Sequence, residues 1–181
     1  MRNIIAFTGL AGSGKTTAAK HLCNWHGFER VRFAGPLKDM MRALGLSERE
    51  IEGDLKEKPC DMLCGRTPRH GMQTLGSEWR DLIHRELWTR IWRRRVEALP
   101  PNVPVVVDDC RFPHELDAIR DMGGTLVKVE RPGLVAVSTH ISEGQDLGPV
   151  AATIHNTGTV AAFLDRLDRQ MRDLSWVGHT H

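Results

Sequence analysis

The 181-residue sequence has no strong excess of charge of either sign: 25 Lys and Arg face 23 Asp and Glu, a formal net charge of +2. A general polyanion-binding surface is therefore not expected, and any recognition of phosphate must be local. Long hydrophobic runs are missing too. The first apolar stretch, within MRNIIAFTGLAGSGKTT, gives way to glycine after five or six residues, too short for a signal-peptide core or a membrane span. A cytoplasmic protein is expected. Cysteine is sparse as well. Cys60 and Cys64 lie near His70, but no second pair completes a tetrahedral metal set, so Cys23, Cys60, Cys64 and Cys110 are expected as free thiols. Neither internal repeats nor low-complexity tracts occur. One domain of ordinary size is expected, with a single core.

Short apolar runs alternate with helical patterns. NIIAFTG (3–9) suits a buried parallel strand, followed by a helix from Lys15 to about His26. ERVRFA (29–34) alternates with period two and stops at Gly35-Pro36. Pro36 then starts a helix carrying Leu37, Met40, Met41 and Leu44 to Gly45. Ser47 caps a shorter helix over 47–55, residues 54–72 look irregular, and Ser77 is expected to cap one long helix to about Leu99, ended by Pro100-Pro101. VPVVVDDCRF (103–112) is a strand ending in two carboxylates, and PHELDAIRDMGG a helix closed by glycine. TLVKVERP (125–132) and AATIHN supply two more strands, and a helix from about Thr159 to Leu174 follows. The terminal SWVGHTH is not expected to be ordered. Such alternation implies a parallel sheet covered on both faces, with ligands at the carboxyl ends of its strands.

GLAGSGKT, Gly9 to Thr16, matches G-x-x-x-x-G-K-[ST] between an apolar strand and a helix. Glycines let the backbone wrap a phosphate, so that N–H groups and the helix N-terminus face negative charge. Lys15 is expected to reach the β- and γ-phosphates of a nucleotide, and Thr16 to offer its hydroxyl to Mg2+. This motif belongs equally to switches, motors and kinases. Asp108 and Asp109 stand where such proteins place an acidic residue near the metal. Asp109 is the expected functional member, through bound water or by orienting an acceptor hydroxyl, because Asp-x-Arg aims it and Arg111 toward one crevice. Arg111, Arg131 and the arginines of CGRTPRHGMQTLGSEWR (64–80) can clamp transferred phosphate. Arg93, Arg94 and Arg95 face different directions and read mostly as solvated, whereas His140 and Glu143 suit either loop capping or a closing lid.

The order GLAGSGKTT, RFAGPLKDMM, TPRHGMQTLGSEWR, VVVDDCRFPHE, VKVERPGL, HISE and IHNTGT, from about residue 4 to 165, resembles the phage deoxynucleoside monophosphate kinases, a branch of the P-loop nucleotide kinases. The resemblance implies a nucleoside-kinase-like three-layer α/β/α fold with a parallel sheet of about five strands. It also implies an acceptor-binding helical insertion at about 36–99 and a short lid at about 132–150. The implied reaction moves the ATP γ-phosphate, with Mg2+, onto a deoxynucleoside monophosphate. Gly9, Ala11, Gly12, Ser13, Gly14, Lys15, Thr16 and Thr17 would hold ATP, and Phe33, Lys38, Arg66, Arg69, Gln73 and Glu143 the acceptor. Lys15, Asp109, Arg111 and Arg131 would be catalytic, with Thr16 and Asp109 serving the metal. Unlike many nucleotide kinases, this chain has no Lys or Arg between 132 and 165. A kinase acting on a 5-hydroxymethyl-pyrimidine within DNA is the alternative, and a non-enzymatic nucleotide switch a third reading. No membrane partner is implied; monomer and homodimer are both compatible.

Overall fold

Strand β1, Ile4–Thr8, is buried along nearly its whole length, as a short run of Ile-Ile-Ala-Phe requires when both faces of a sheet are covered. A computed structural model describes residues 2–134 and 147–173. The chain divides into two compact units, Met1–Arg32 with Arg95–His181, and Phe33–Arg94.

In the first unit, β1 is followed by α1 (Lys15–His26) and the two-residue strand β2 (Glu29–Arg30). Strand β3 (Val105–Val107), helix α6 (Pro113–Asp121), strand β4 (Thr125–Glu130), strand β5 (Ala152–His155) and helix α7 (Val160–Asp173) come after the second unit. All five strands pair in parallel, in the order β2-β3-β1-β4-β5. Register Ile5↔Val106 puts those two side chains on one face, with Phe7, Val127, Val129 and Ile154. Ala18, Ala19 and Leu22 of α1 and Phe163, Leu167 and Met171 of α7 close that face into one core. Each large side chain buried there contributes about 1.5–3 kcal/mol. Helix α6 lies against β4 and presents buried Leu116 and Ile119. Strand β2 is shorter than expected because its partner β3 has only three residues; Val31 adds one last ladder bond, to the Val106 carbonyl at 3.1 Å.

The second unit begins with α2 (Gly35–Ala43) and the single-turn α3 (Glu48–Ile51), whose Ser47 and Glu50 form the capping box. A 3-10 turn, Asp61–Leu63, precedes α4 (Pro68–Leu82), and α5 (Leu87–Glu97) runs out of the unit. Three elements differ from expectation, the first being α3, a single turn where a helix over 47–55 is expected. Helix α4 starts nine residues before Ser77, with Thr67 as N-cap accepting from the His70 amide at 3.1 Å and Pro68 at the first position. The single long helix is broken after Leu82. Its apolar spacing continues through the break, but the Trp88 indole N–H donates back to the Gly76 carbonyl at 2.8 Å and its ring stacks on Trp79. Met41, Leu46, Ile51, Cys60 and Met72 form this unit's core.

The four cysteines are free thiols. Among the described residues no helix is long and apolar enough to cross a membrane. Glu143, His140 and the SWVGHTH terminus lie outside the described residues, as does most of the lid expected at 132–150.

Candidate active site

The carboxyl end of β1 turns through Gly9 to Gly14 into α1. Gly9 has φ 134°, and a Cβ there would stand 2.1 Å from the Val129 carbonyl oxygen, so no side chain fits. At Gly14, with φ 112°, a Cβ would stand 2.7 Å from Asn156 Nδ2. Asn156 directly follows β5 and donates to the Ser13 carbonyl at 2.8 Å, tying the loop to the sheet. Gly14 caps α1 without a side-chain bond, leaving the first amides of the helix directed at whatever occupies the loop. The Lys15 ammonium donates to the Gly9 and Leu10 carbonyls at 2.6 and 2.7 Å. Ser13 Oγ is buried and has no hydrogen-bond partner among the described residues. A buried orphan of this kind costs about 1–3 kcal/mol unless a ligand satisfies it.

Thr16, the second residue of α1, donates its hydroxyl to Asp108 Oδ2 at 2.8 Å. Asp108 is only 5% exposed. Burial raises its pKa, but two hydrogen bonds from the Arg30 guanidinium, the Thr16 hydroxyl and the charge of Arg32 outweigh it and hold the carboxyl below its ordinary value. It is therefore an anion when Thr16 faces it. The functional role expected of Asp109 is a separate matter that this contact does not touch; of the two adjacent carboxylates it is Asp108 that meets Thr16. Strand alternation is the reason. Val106 shares the α1 face of the sheet, and the residue two further on stays on that side. Asp109 instead raises the pKa of Glu115 on α6.

Glu115 is buried, and its carboxylate accepts from the Arg111 and Phe112 amides at 2.7 and 3.1 Å. Burial first, and the Asp109 charge second, push its pKa up to about 8 against these two bonds. Arg111 is exposed, and Arg131 is exposed immediately after β4. Ala11, Gly12, Thr16 and Thr17 are exposed on the loop and the start of α1. Thr8, Asp108, Arg131 and Asn156 all mark the carboxyl ends of strands, with β1 seated between β3 and β4.

In the second unit Phe33 is buried against Trp92, with ring centroids 4.8 Å apart, and buried Lys38 pairs with Glu52 at 2.8 Å. Arg69 occupies the first turn of α4, paired with Glu57, and exposed Gln73 stands one turn on, so the two share a helix face. Exposed Arg66 bridges to Cys60 through its backbone. Arg80 pairs with Asp81 beside it.

Thr16 and Asp108 offer hard oxygen donors, the ligand type Mg2+ prefers, and the unsatisfied Ser13 hydroxyl with a loop too tight for side chains fits a phosphate chain. Asn156 and Arg30 were not singled out from sequence. Their signal is positional: each lies at or next to the carboxyl end of a strand.

A five-stranded parallel sheet with this loop between its central strand and a helix defines the P-loop, nucleoside-kinase-like α/β class. The fold is shared with TT1252 from Thermus thermophilus (TM-score 0.55, 17% identity, 98% of each chain covered). It is likewise shared with a proposed kinase from Chloroflexus aurantiacus (TM-score 0.51, 12% identity, 95% of this chain and 97% of that one). The family model for deoxynucleotide monophosphate kinase matches residues 65–167, more than half of the chain and wholly downstream of the phosphate loop. A proposed deoxynucleotide monophosphate kinase of Acanthamoeba polyphaga mimivirus is 39% identical over 154 residues, 77% of this chain and 80% of that protein. The deoxynucleotide monophosphate kinase of Enterobacteria phage T4 is 34% identical over 70 residues, 38% of this chain and 29% of that protein. An uncharacterized protein, ORF77, of Ictalurid herpesvirus 1 (strain Auburn) is 30% identical over 90% of this chain and 68% of its own. The chain belongs to the deoxynucleotide monophosphate kinase family.

Proposed function

We propose that the protein transfers the γ-phosphoryl group of ATP to the 5′-phosphate of a deoxynucleoside monophosphate. An acceptor phosphate oxygen bonds to the γ-phosphorus as the bond to the β,γ-bridging oxygen breaks, giving a deoxynucleoside diphosphate and ADP. The observation that carries this reading is the hydrogen bond from Thr16 to Asp108 beside a loop whose Gly9 and Gly14 leave no room for a Cβ. Lys15 exchanges its two loop carbonyls for phosphate oxygens, which hold its charge where negative charge develops. Asp108, rather than Asp109, would hold Mg2+ together with Thr16. Mg2+, when bound, would supply positive charge that offsets the charge of the phosphate oxygens.

Asp109 orients the acceptor, and Arg111 and Arg131 counter the equatorial oxygens of the transferred group. The segment at about 36–99 serves as the acceptor-binding insertion. Arg69 releases Glu57 to grip the 5′-phosphate, Gln73 on the same face reads the base edge, and Arg66, Lys38 and Phe33 line the site. The enzyme works in the cytoplasm.

The test is a transfer assay with Mg2+ and labelled ATP against deoxynucleoside monophosphates, ribonucleoside monophosphates, and duplex DNA with and without 5-hydroxymethyluracil. Label in free deoxynucleotides is expected. Label in DNA alone assigns the DNA-kinase reading instead, and label nowhere leaves a nucleotide-binding switch.

A further inference from the structure

Beyond the phosphate loop, α1 carries a second group of chemically capable side chains at its far end. His21 and His26 both bring Nε2 to the same oxygen, Oδ1 of Asp168 on α7, at 2.8 and 3.0 Å. Their rings lie 5.3 Å apart. One ligand atom from each of the three residues lies within 4.8 Å of the others. We propose that His21, His26 and Asp168 form a binding site for a transition-metal dication of the Zn2+ class.

The donor set decides the class of ion. Two imidazole nitrogens and one carboxylate oxygen suit Zn2+ and its first-row neighbours, whereas Mg2+ and Ca2+ require oxygen ligands. Three protein ligands with water in the fourth position make an ordinary tetrahedral arrangement. Ligand atoms at zinc stand about 3.3 Å from one another, so the adjustment required is on the order of 1 Å.

The frame makes this more than a chance meeting of surface groups. Leu22 of α1 and Leu167 of α7, the immediate neighbours of His21 and Asp168, are buried in the same core. His21 and Asp168 are themselves only 14% and 26% exposed as side chains, and His26 at 40% leaves an approach from solvent. Ligands fixed on two packed helices lose little further freedom on binding.

Bound there, the ion ties α1 to α7. The site lies roughly 9 to 16 Å of helix from Lys15, so its role is to brace the helix that carries the phosphate loop, not to touch the phosphates. Binding only to the folded chain stabilises it by mass action.

The test uses the full chain with excess Mg2+ present and Zn2+ as the added probe. Calorimetry is expected to show one Zn2+ per chain, and thermal unfolding an upward shift that a chelator reverses. Asp168→Asn and His26→Gln should each weaken Zn2+ binding at least about tenfold while leaving ATP-dependent transfer intact. Co2+ in place of Zn2+ should give a tetrahedral spectrum without a thiolate charge-transfer band. No Zn2+-dependent shift in the wild type overturns the proposal. So does a shift that survives in the double variant, which would assign the ion to histidines elsewhere, such as His179 and His181, or a Co2+ spectrum with thiolate character.

Discussion

Thr16, at the start of α1, and Asp108, just past the end of β3, meet through a 2.8 Å hydrogen bond across 92 residues of sequence. The contact joins the phosphate loop to the neighbouring strand, and it orders the two adjacent carboxylates. Asp108→Asn is expected to lower kcat by about a hundredfold or more and to change its Mg2+ dependence. Asp109→Asn is expected to cost less and to leave the Mg2+ dependence alone. Steady-state rates over a Mg2+ titration distinguish the two; an unchanged Mg2+ dependence in Asp108→Asn would reverse the assignment.

Lys15→Ala should abolish transfer while leaving the fold in place. The ammonium rests on two carbonyls of its own loop, and these are half-exposed groups that water can satisfy. Circular dichroism and thermal unfolding check the fold, and labelled ATP checks the transfer. A variant that unfolds would show that the lysine is a structural clamp of the loop.

Arg69→Ala should raise KM for the acceptor at least about tenfold with little effect on KM for ATP. Equal effects on both would remove Arg69 from the acceptor site. Glu57→Ala probes the same pair from the other side. It frees the guanidinium, and KM for the acceptor should fall or stay unchanged.

Gly9→Ala is expected to destabilise the protein by about 3 kcal/mol or more. Its Cβ would meet a backbone carbonyl, which cannot swing aside as a side chain can, and the positive φ adds strain. Urea unfolding measures this. By contrast, at Gly133, where φ is also positive but no atom lies within 4 Å, the same substitution should cost about 1 kcal/mol.

Stability should fall as pH rises from about 4.5 to 8, through Glu115. Its folded pKa, about 8, lies above the ordinary 4.5. Below the lower value both states are protonated and the group is neutral in its effect. Between the two values the folded state binds the extra proton, so each step up in pH favours the unfolded chain, and the loss is complete above the higher value. Glu115→Gln should flatten this slope in urea midpoints taken across the range; an unaltered slope would place its origin elsewhere.

The strand-loop-helix motif from Ile4 to His26 was legible directly, because everything that makes it is local. A short apolar run, glycines where the backbone needs positive φ, and a lysine and threonine at the helix start all lie within one continuous stretch. Period and punctuation likewise marked the parallel α/β class and three of the five strands closely, β1, β4 and β5, while β2 and β3 came out much shorter than the runs that predict them. These signals did not place the break between α4 and α5. There the apolar spacing runs on through Ile83 and Leu87, while the decisive interaction, Trp88 reaching back to Gly76, depends on two segments folding side by side.

The same division explains the acidic pair. VVV is buried on both faces, so hydrophobic alternation carries no information about which aspartate turns toward α1. Only the register Ile5↔Val106, set between strands a hundred residues apart, decides it in favour of Asp108. His21 and Asp168 met for the same reason. Their helices share a sheet face, and no spacing within either one announces the other. What sequence determined by itself was the chemistry that short-range backbone geometry demands; which distant side chains would converge was decided by sheet register and helix packing.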